Sequence, residues 1–230
     1  MHWFYDSKFT GSSTALGSSE LMHLKTLRIR SQEEIQVTDG EGQIYLCKVL
    51  DPKSGQLVVL SSQRKQTKTP AIHLVQALAK GDRDEQALQA CVELGVRSIT
   101  PWQAELSVVN WKGKEEKGRL RWQEIAISAM KQSQQAFLPE VRPVVATHNL
   151  KPWGLGIVLD PRATPSITNL PNNFEELTIV VGPEGGIAPG ELAQLVGAGF
   201  EARKLGDSIL RTSTAGPAAM AAIFTKLQIW

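Results

Sequence analysis

Ile179-Val180-Val181-Gly182-Pro183-Glu184-Gly185-Gly186 decides the fold: an apolar, β-branched run that breaks straight into a glycine-rich loop. A short continuous apolar run of this kind predicts a buried parallel strand, and ligands of open α/β sheets sit beyond the carboxyl ends of such strands. Further on, Leu205-Gly206-Asp207-Ser208-Ile209-Leu210-Arg211-Thr212-Ser213-Thr214-Ala215 has the same form and leads into an Ala-rich terminal segment. The glycines let main chain come close to a ligand or take positive φ, so a flat group can be gripped by backbone donors and acceptors. The loop has neither the Lys-Ser/Thr ending of a P-loop nor the G-x-G-x-x-G of a dinucleotide fold, which points away from phosphate and toward a base such as adenine.

In this order the two pieces resemble the knotted SPOUT methyltransferases, most closely the RsmE family. That family carries a Gly-Pro-Glu-Gly-Gly loop followed by Leu-Gly-x-x-Ile-Leu-Arg-x-Glu-Thr-Ala, and Ser213 stands at the position of its Glu. The resemblance implies S-adenosylmethionine as cofactor and methyl transfer to N3 of a uridine in small-subunit (16S) ribosomal RNA, free or in the assembled subunit. It also implies an α/β fold: a C-terminal SPOUT α/β domain with a deep trefoil knot over residues 69–230, after a small N-terminal PUA-like β-barrel RNA-binding domain over residues 1–68. Threaded chains are almost absent from ordinary folds, so the knot is an expectation of the resemblance alone. By the same resemblance Leu159, Gly182, Glu184, Gly185, Gly186, Leu205, Gly206, Ile209, Leu210 and Arg211 hold the cofactor. Arg211 is the candidate catalytic residue, orienting the base or stabilising the charge left as the N3 proton departs. A homodimer is expected, with the small residues of the terminal helix packed against a second copy.

The chain departs from the family pattern at Trp3, Ala90, Leu106, Ser128, Gln135 and Ser213, several of which remove a charge. Two other readings therefore stay open: an RNA-binding paralogue with impaired catalysis, and a SPOUT enzyme acting on a different RNA.

With 230 residues the chain can bury a substantial core in one large domain or two small ones. No apolar run approaches the ~20 residues needed to span a bilayer, and the start of the chain lacks a basic-then-apolar signal pattern, so a cytoplasmic protein is expected. Cys47 and Cys91 lie far apart and read as buried free thiols, and His2, His23, His73 and His148 have no metal-ligand spacing; no metal is expected. The net charge of +2 is small for an RNA-binding protein, but phosphate attraction depends on local charge. The basic run Arg64-Lys65-Gln66-Thr67-Lys68 is one candidate RNA contact, and Lys112 to Arg121 another. Arg28 is a third, lying with His23, Leu24 and Leu27 in a segment that matches the family's N-terminal domain.

Along the chain, residues 1–20 show little period and read as partly mobile, and Leu21 to Arg30 reads as a short helix. Alternation through Ile35, Val37, Tyr45, Cys47 and Val49 around Asp39-Gly40 predicts a hairpin, with a third strand at Gln56 to Leu60. Ser61 to Pro70 reads as a linker. Pro70 suits a first helical turn, with Ile72, Val75 and Ala79 on one face. Asp84 to Leu94 predicts a helix stopped by Gly95, and Val96 to Ile99 a strand ending at Pro101. Trp122, Ile125, Ala126, Ala129 and Met130 mark an amphipathic helix. Gly156 to Asp160 reads as a strand followed by an irregular connection to Glu176. Pro189 begins a helix whose Glu191 has no capping partner at Ala188, and Thr214 is the expected N-cap of the last helix.

Overall fold

The computed structural model describes residues 1–67 and 69–229. Its contacts divide the chain into two units, residues 1–67 with 130–138, and residues 68–129 with 139–230.

The first unit is built on a four-stranded sheet in the order β1-β2-β3-β4, comprising β1 (His2–Tyr5), β2 (Glu34–Thr38), β3 (Gln43–Asp51) and β4 (Gln56–Arg64), with helix α1 (Ser18–Thr26) between β1 and β2. The expected hairpin is present, with Ile35 opposite Cys47 and Val37 opposite Tyr45. Asp39 shapes its turn by accepting the amides of Glu41 and Gln43 on Oδ1 at 2.7 and 3.0 Å. Residues 1–20 are not loose: β1 runs parallel to β2, and Phe4, Phe9 and Leu16 enter one core with Ile35, Val37 and Cys47. Aromatic area outweighs the Ser and Gly content there. The expected linker is shorter than Ser61 to Pro70, because β4 continues to Arg64 opposite Gln43. Residues 130–138 join this unit through backbone bonds from Gly42 to Ala136 and from Leu138 to Gly40, a Thr38 hydroxyl bond to Ala136, and a Lys131–Glu20 ion pair at 2.8 Å.

The second unit holds β5 (Ala71–Ala77), α2 (Arg83–Leu94), β6 (Ser98–Gln103), α3 (Glu115–Gln132, whose last turn counts with the first unit), β7 (Glu140–Val141), β8 (Val145–Ala146), β9 (Leu155–Leu159), β10 (Glu176–Val181), α4 (Pro189–Gly197), β11 (Phe200–Arg203) and α5 (Thr212–Lys226). The sheet order is β11-β9-β10-β5-β6-β7, with β8 also on β6, and every pairing is parallel.

Ala71 to Ala77 is a strand and not the expected helix. A strand covered on both faces is a continuous apolar run, in which apolar residues also fall at helical spacing by default; Pro70 precedes its first residue, where a proline is tolerated. Pro101 does not end β6. It falls between the residues that pair with β7 (Ser98, Ile99) and those that pair with β8 (Trp102, Gln103), so its missing N–H breaks no ladder on that side. Gly95 stops α2 in the left-handed region at φ 90°. The small residues of α5 have a partner within the chain: the helix packs on α2, and a Cβ at Gly216 would already lie 3.3 Å from Leu74 and 3.4 Å from Cys91. Both cysteines are buried and free, and burial pushes the Cys47 thiol up to about 12 and raises Cys91 as well, so neither is a reactive thiolate near neutrality.

At the amino ends of the strands, buried His73 meets Ser98 Oγ through Nδ1 at 2.7 Å and lies 5.3 Å from the Trp153 ring, over which Arg142 stacks. Burial lowers its pKa from 6.5, Arg142 and Arg97 lower it further, and Glu176 and Glu140 oppose them. The unfolded chain thus takes up this proton before the folded one does: His73 favours folding fully above about pH 6.5 and loses that contribution as pH falls toward the depressed folded value. Urea midpoints should fall from pH 7.5 to 5.5, and His73→Phe should flatten that slope. Gly154, at φ 63°, turns the chain into β9 so close to β10 that a Cβ would sit 2.2 Å from the Glu176 carbonyl oxygen. Gly154→Ala should destabilise the protein by about 1–3 kcal/mol in urea denaturation.

Candidate active site

Parallel pairing places the carboxyl ends of β9, β10 and β11 together, and the loops that follow them enclose a cavity of about 470 Å³. Leu159, Gly182, Glu184, Gly185, Gly186, Leu205, Gly206, Ile209, Leu210 and Arg211 all line it. They come from three separate stretches of chain. Its size lies within the ~300–1,000 Å³ of small-molecule sites.

Two glycines of the loop leave no room for a side chain, and the third needs a positive φ. A Cβ on Gly182 would lie 2.7 Å from Ile187 Cγ1, one on Gly185 would lie 3.0 Å from Leu106 Cβ, and Gly186 has φ 77°. Much of this wall is therefore main chain. Aliphatic side chains also line the cavity, Leu159, Leu205 and Leu210 among them, with Ile209 83 % exposed.

Three arginines reach the cavity. Arg83, from the first turn of α2, donates to Glu184 Oε1 at 2.9 Å, and the same oxygen accepts the Lys80 amide at 3.1 Å. Arg162 grips both oxygens of Asp160 and also donates to the Ile187 carbonyl. Hydrogen bonding from that guanidinium holds the Asp160 carboxyl below its usual value. Arg211 has no side-chain hydrogen bond or ion pair among the described residues, and its extended backbone, φ −65° and ψ 154°, caps α5. Helix α5 thus begins at Thr212 with Arg211 as its cap, three residues before the expected Thr214 cap, and the Thr212 hydroxyl is turned to the Gly182 carbonyl at 2.8 Å.

Arg83, Asp160, Arg162 and Thr212 were not singled out from the sequence. Asp160-Pro161-Arg162 follows a strand directly, and a charged pair there is a usable signal; Thr212 sat inside the motif at an unassigned position. Arg83 had no linear signal. Of the expected RNA contacts, Arg28 is exposed at φ 56°, Arg64 ends β4 with Nη2 3.4 Å from the Glu41 carbonyl, Lys65 follows it, and Lys68 lies outside the described residues. All three described ones belong to the first unit. Among the described residues no group of three or more His, Cys, Asp or Glu could hold a metal ion, and no helix is long and apolar enough to cross a membrane.

Behind the glycine loop, Glu191 in the first turn of α4 is 4 % exposed. With no near half for a capping box, its Oε1 accepts the Glu105 amide at 2.9 Å and the Thr147 hydroxyl at 2.5 Å, while Trp102 Nε1 donates to Thr147 Oγ1 at 3.0 Å. It thereby ties the connection after β6, including Leu106 against Gly185, to the helix that follows the loop. Glu191→Ala strands the Thr147 hydroxyl and should cost about 2–3 kcal/mol, with Glu191→Gln losing less, as read from urea midpoints.

A family model described as an RNA methyltransferase domain matches residues 65–224. A ribosomal RNA small subunit methyltransferase E from Mycobacterium bovis is 36 % identical over 234 residues, covering 96 % of this chain and 89 % of that protein. The crystal structure of a ribosomal RNA small subunit methyltransferase E from Neisseria gonorrhoeae bound to S-adenosylmethionine superposes with a TM-score of 0.87 at 31 % identity, over 98 % of this chain and 97 % of that one. A Legionella pneumophila protein solved with the same cofactor gives a TM-score of 0.87 at 27 % identity, over 97 % and 96 % of the two chains.

Proposed function

The chain belongs to the RNA methyltransferase domain family, and within it to the small-subunit ribosomal RNA methyltransferase E (RsmE) group; from that premise we propose that it transfers a methyl group from S-adenosylmethionine to N3 of a uridine in small-subunit (16S) ribosomal RNA. The observation that carries the reading is the cavity in which the glycine loop and the Leu205–Arg211 loop meet.

The residues fit a nucleoside-sized cofactor. Leu159, Leu205, Ile209 and Leu210 would flank its base, and main-chain groups of Gly182, Gly185, Gly186 and Gly206, where no Cβ intervenes, would read the base's edge together with that of Glu184. When bound, S-adenosylmethionine supplies a methyl group activated by a sulfonium. The chain's part is to align the nucleophile with it, which provides most of the barrier reduction. Arg211 stands at the cavity without a competing side-chain partner among the described residues and can hold the negative charge that spreads over the pyrimidine as its N3 proton leaves. Ser213, in place of the family's Glu, offers no fixed charge to draw Arg211 away.

The second unit takes the role of the SPOUT domain. Its proposed knot is supported by the path after β11: Lys204 bonds to Pro165 and Ile167 of the β9–β10 connection, and α5 then touches Ile167–Asn169 while packed on α2. The first unit takes the role of the PUA-like RNA-binding domain, with Arg28, Arg64 and Lys65 offered to phosphates and Lys68 continuing the same basic run in sequence. Half-buried Ala218, Ala221 and Ala222 on α5 suit a homodimer, and a ribosomal RNA substrate fits a cytoplasmic protein.

Incubating small subunits that lack the modification with the protein and labelled cofactor should place label on N3 of one uridine. Cofactor binding without transfer would instead assign an RNA-binding paralogue, and label on another RNA a different target. Arg211→Ala should lower methyl transfer by about 10²–10³-fold while calorimetry finds cofactor affinity changed less than about 3-fold; equal losses would contradict its role.

A further inference from the structure

We propose that Gln76 is a positioning residue for methyl transfer, acting through the Thr212 hydroxyl to fix Arg211 beside the glycine loop. The inference rests on the functional reading above and deepens it.

Gln76 is a primary amide on the central strand β5, whose only other buried polar side chain is His73 near the opposite end, and it is 0 % exposed. Burying an amide costs free energy unless its groups are bonded, and a Met would fill similar space without that cost. Its Nε2 donates to Thr212 Oγ1 at 2.8 Å and to the Ala77 carbonyl at 3.2 Å; its Oε1 is buried with no hydrogen-bond partner among the described residues. The one bond that reaches beyond its own strand is thus the bond to Thr212.

Proton bookkeeping fixes the direction of this relay. The Thr212 hydroxyl has one proton, and it goes to the Gly182 carbonyl at 2.8 Å, so the oxygen can meet Gln76 only as an acceptor. An amide N–H is what that role requires. Gln76 itself is held in register against Val181 on one side and Pro101 on the other. Val181 precedes Gly182, and Thr212 follows Arg211, so the relay pins both motif loops to one strand.

Arg211 has no side-chain tie of its own among the described residues, and the accuracy of its placement is set by the backbone that carries it. Sub-ångström looseness there would be felt in the rate more than in cofactor binding, which draws on many other residues of the cavity.

The test compares Gln76→Met, Thr212→Val, Thr212→Ser and the Gln76→Met/Thr212→Val double variant. Each is measured for turnover at saturating S-adenosylmethionine and small subunit, for S-adenosylmethionine affinity by calorimetry, and for Tm. Gln76→Met and Thr212→Val should each lose about 10–100-fold in kcat with cofactor affinity within about 3-fold, Thr212→Ser should keep kcat near wild type, and the double variant should be no slower than the slower single. Should Gln76→Met not fold, Gln76→Leu takes its place with the same expected outcomes, and the Thr212→Ser and Thr212→Val pair tests the hydroxyl it acts through. Wild-type kcat in Gln76→Met or Thr212→Val, equal losses in Thr212→Ser and Thr212→Val, additive losses in the double variant, or kcat losses matched by affinity losses would overturn the proposal while wild-type turnover leaves the functional reading intact. Absence of turnover by the wild-type protein overturns both.

Discussion

Parallel pairing of β10 between β5 and β9 is the constraint on which the site depends. Parallel neighbours cannot be joined by a tight turn, so each strand must be left by a long connection, and all carboxyl ends point the same way. Three of those exits, after β9, β10 and β11, therefore converge although they are far apart in sequence. Placing β11 outside β9 sends the chain back across the sheet before α5 can reach α2, and that return brings Leu205 to Arg211 opposite the glycine loop.

Convergence alone leaves loops that could sample many courses. Here each is tied by a side chain from another element: Glu184 to the turn before α2, Asp160 to Arg162 and on to the Ile187 carbonyl, Glu191 to the connection after β6, and Thr212 to Gly182. The ties differ in weight. Arg162 is exposed and Arg83 partly so, and an ion pair with one end in solvent contributes little net stability, so their effect is orientation. Glu191 and Thr212 are buried, where a lost partner leaves a polar group unsatisfied, and these hold the frame.

The parts of the fold legible in the sequence were those with a local physical cause. The apolar run into Gly182, the hairpin around Asp39-Gly40, the Gly95 stop and the Pro189 start each depend on neighbouring residues alone. Ala71 to Ala77 was misread because burial on both faces erases the period that separates strand from helix. Thr214 has the side chain of a cap, but the helix starts earlier, after Arg211, which caps without any side-chain bond, and the Thr212 hydroxyl in its first turn is spent on a carbonyl 30 residues away in sequence. Arg83 meets Glu184 across 101 positions, and no local pattern encodes that meeting. The cavity residues were recoverable because the motif resemblance supplied the long-range information that periodicity lacks.

The first unit is assembled from two pieces of chain, its sheet ending by residue 67 and its closing segment arriving only at 130–138. During synthesis, at about 5–20 residues per second, that sheet waits several seconds for Ala136 and Leu138 to meet Gly40 and Gly42. Over that interval the ribosome holds a nascent sheet without its bonds to Ala136 and Leu138, and all of α2, β6 and α3 has been translated before the earlier-made unit can finish. A chain truncated at any point before that segment would release a fragment with an open seam, a natural substrate for chaperones and proteases.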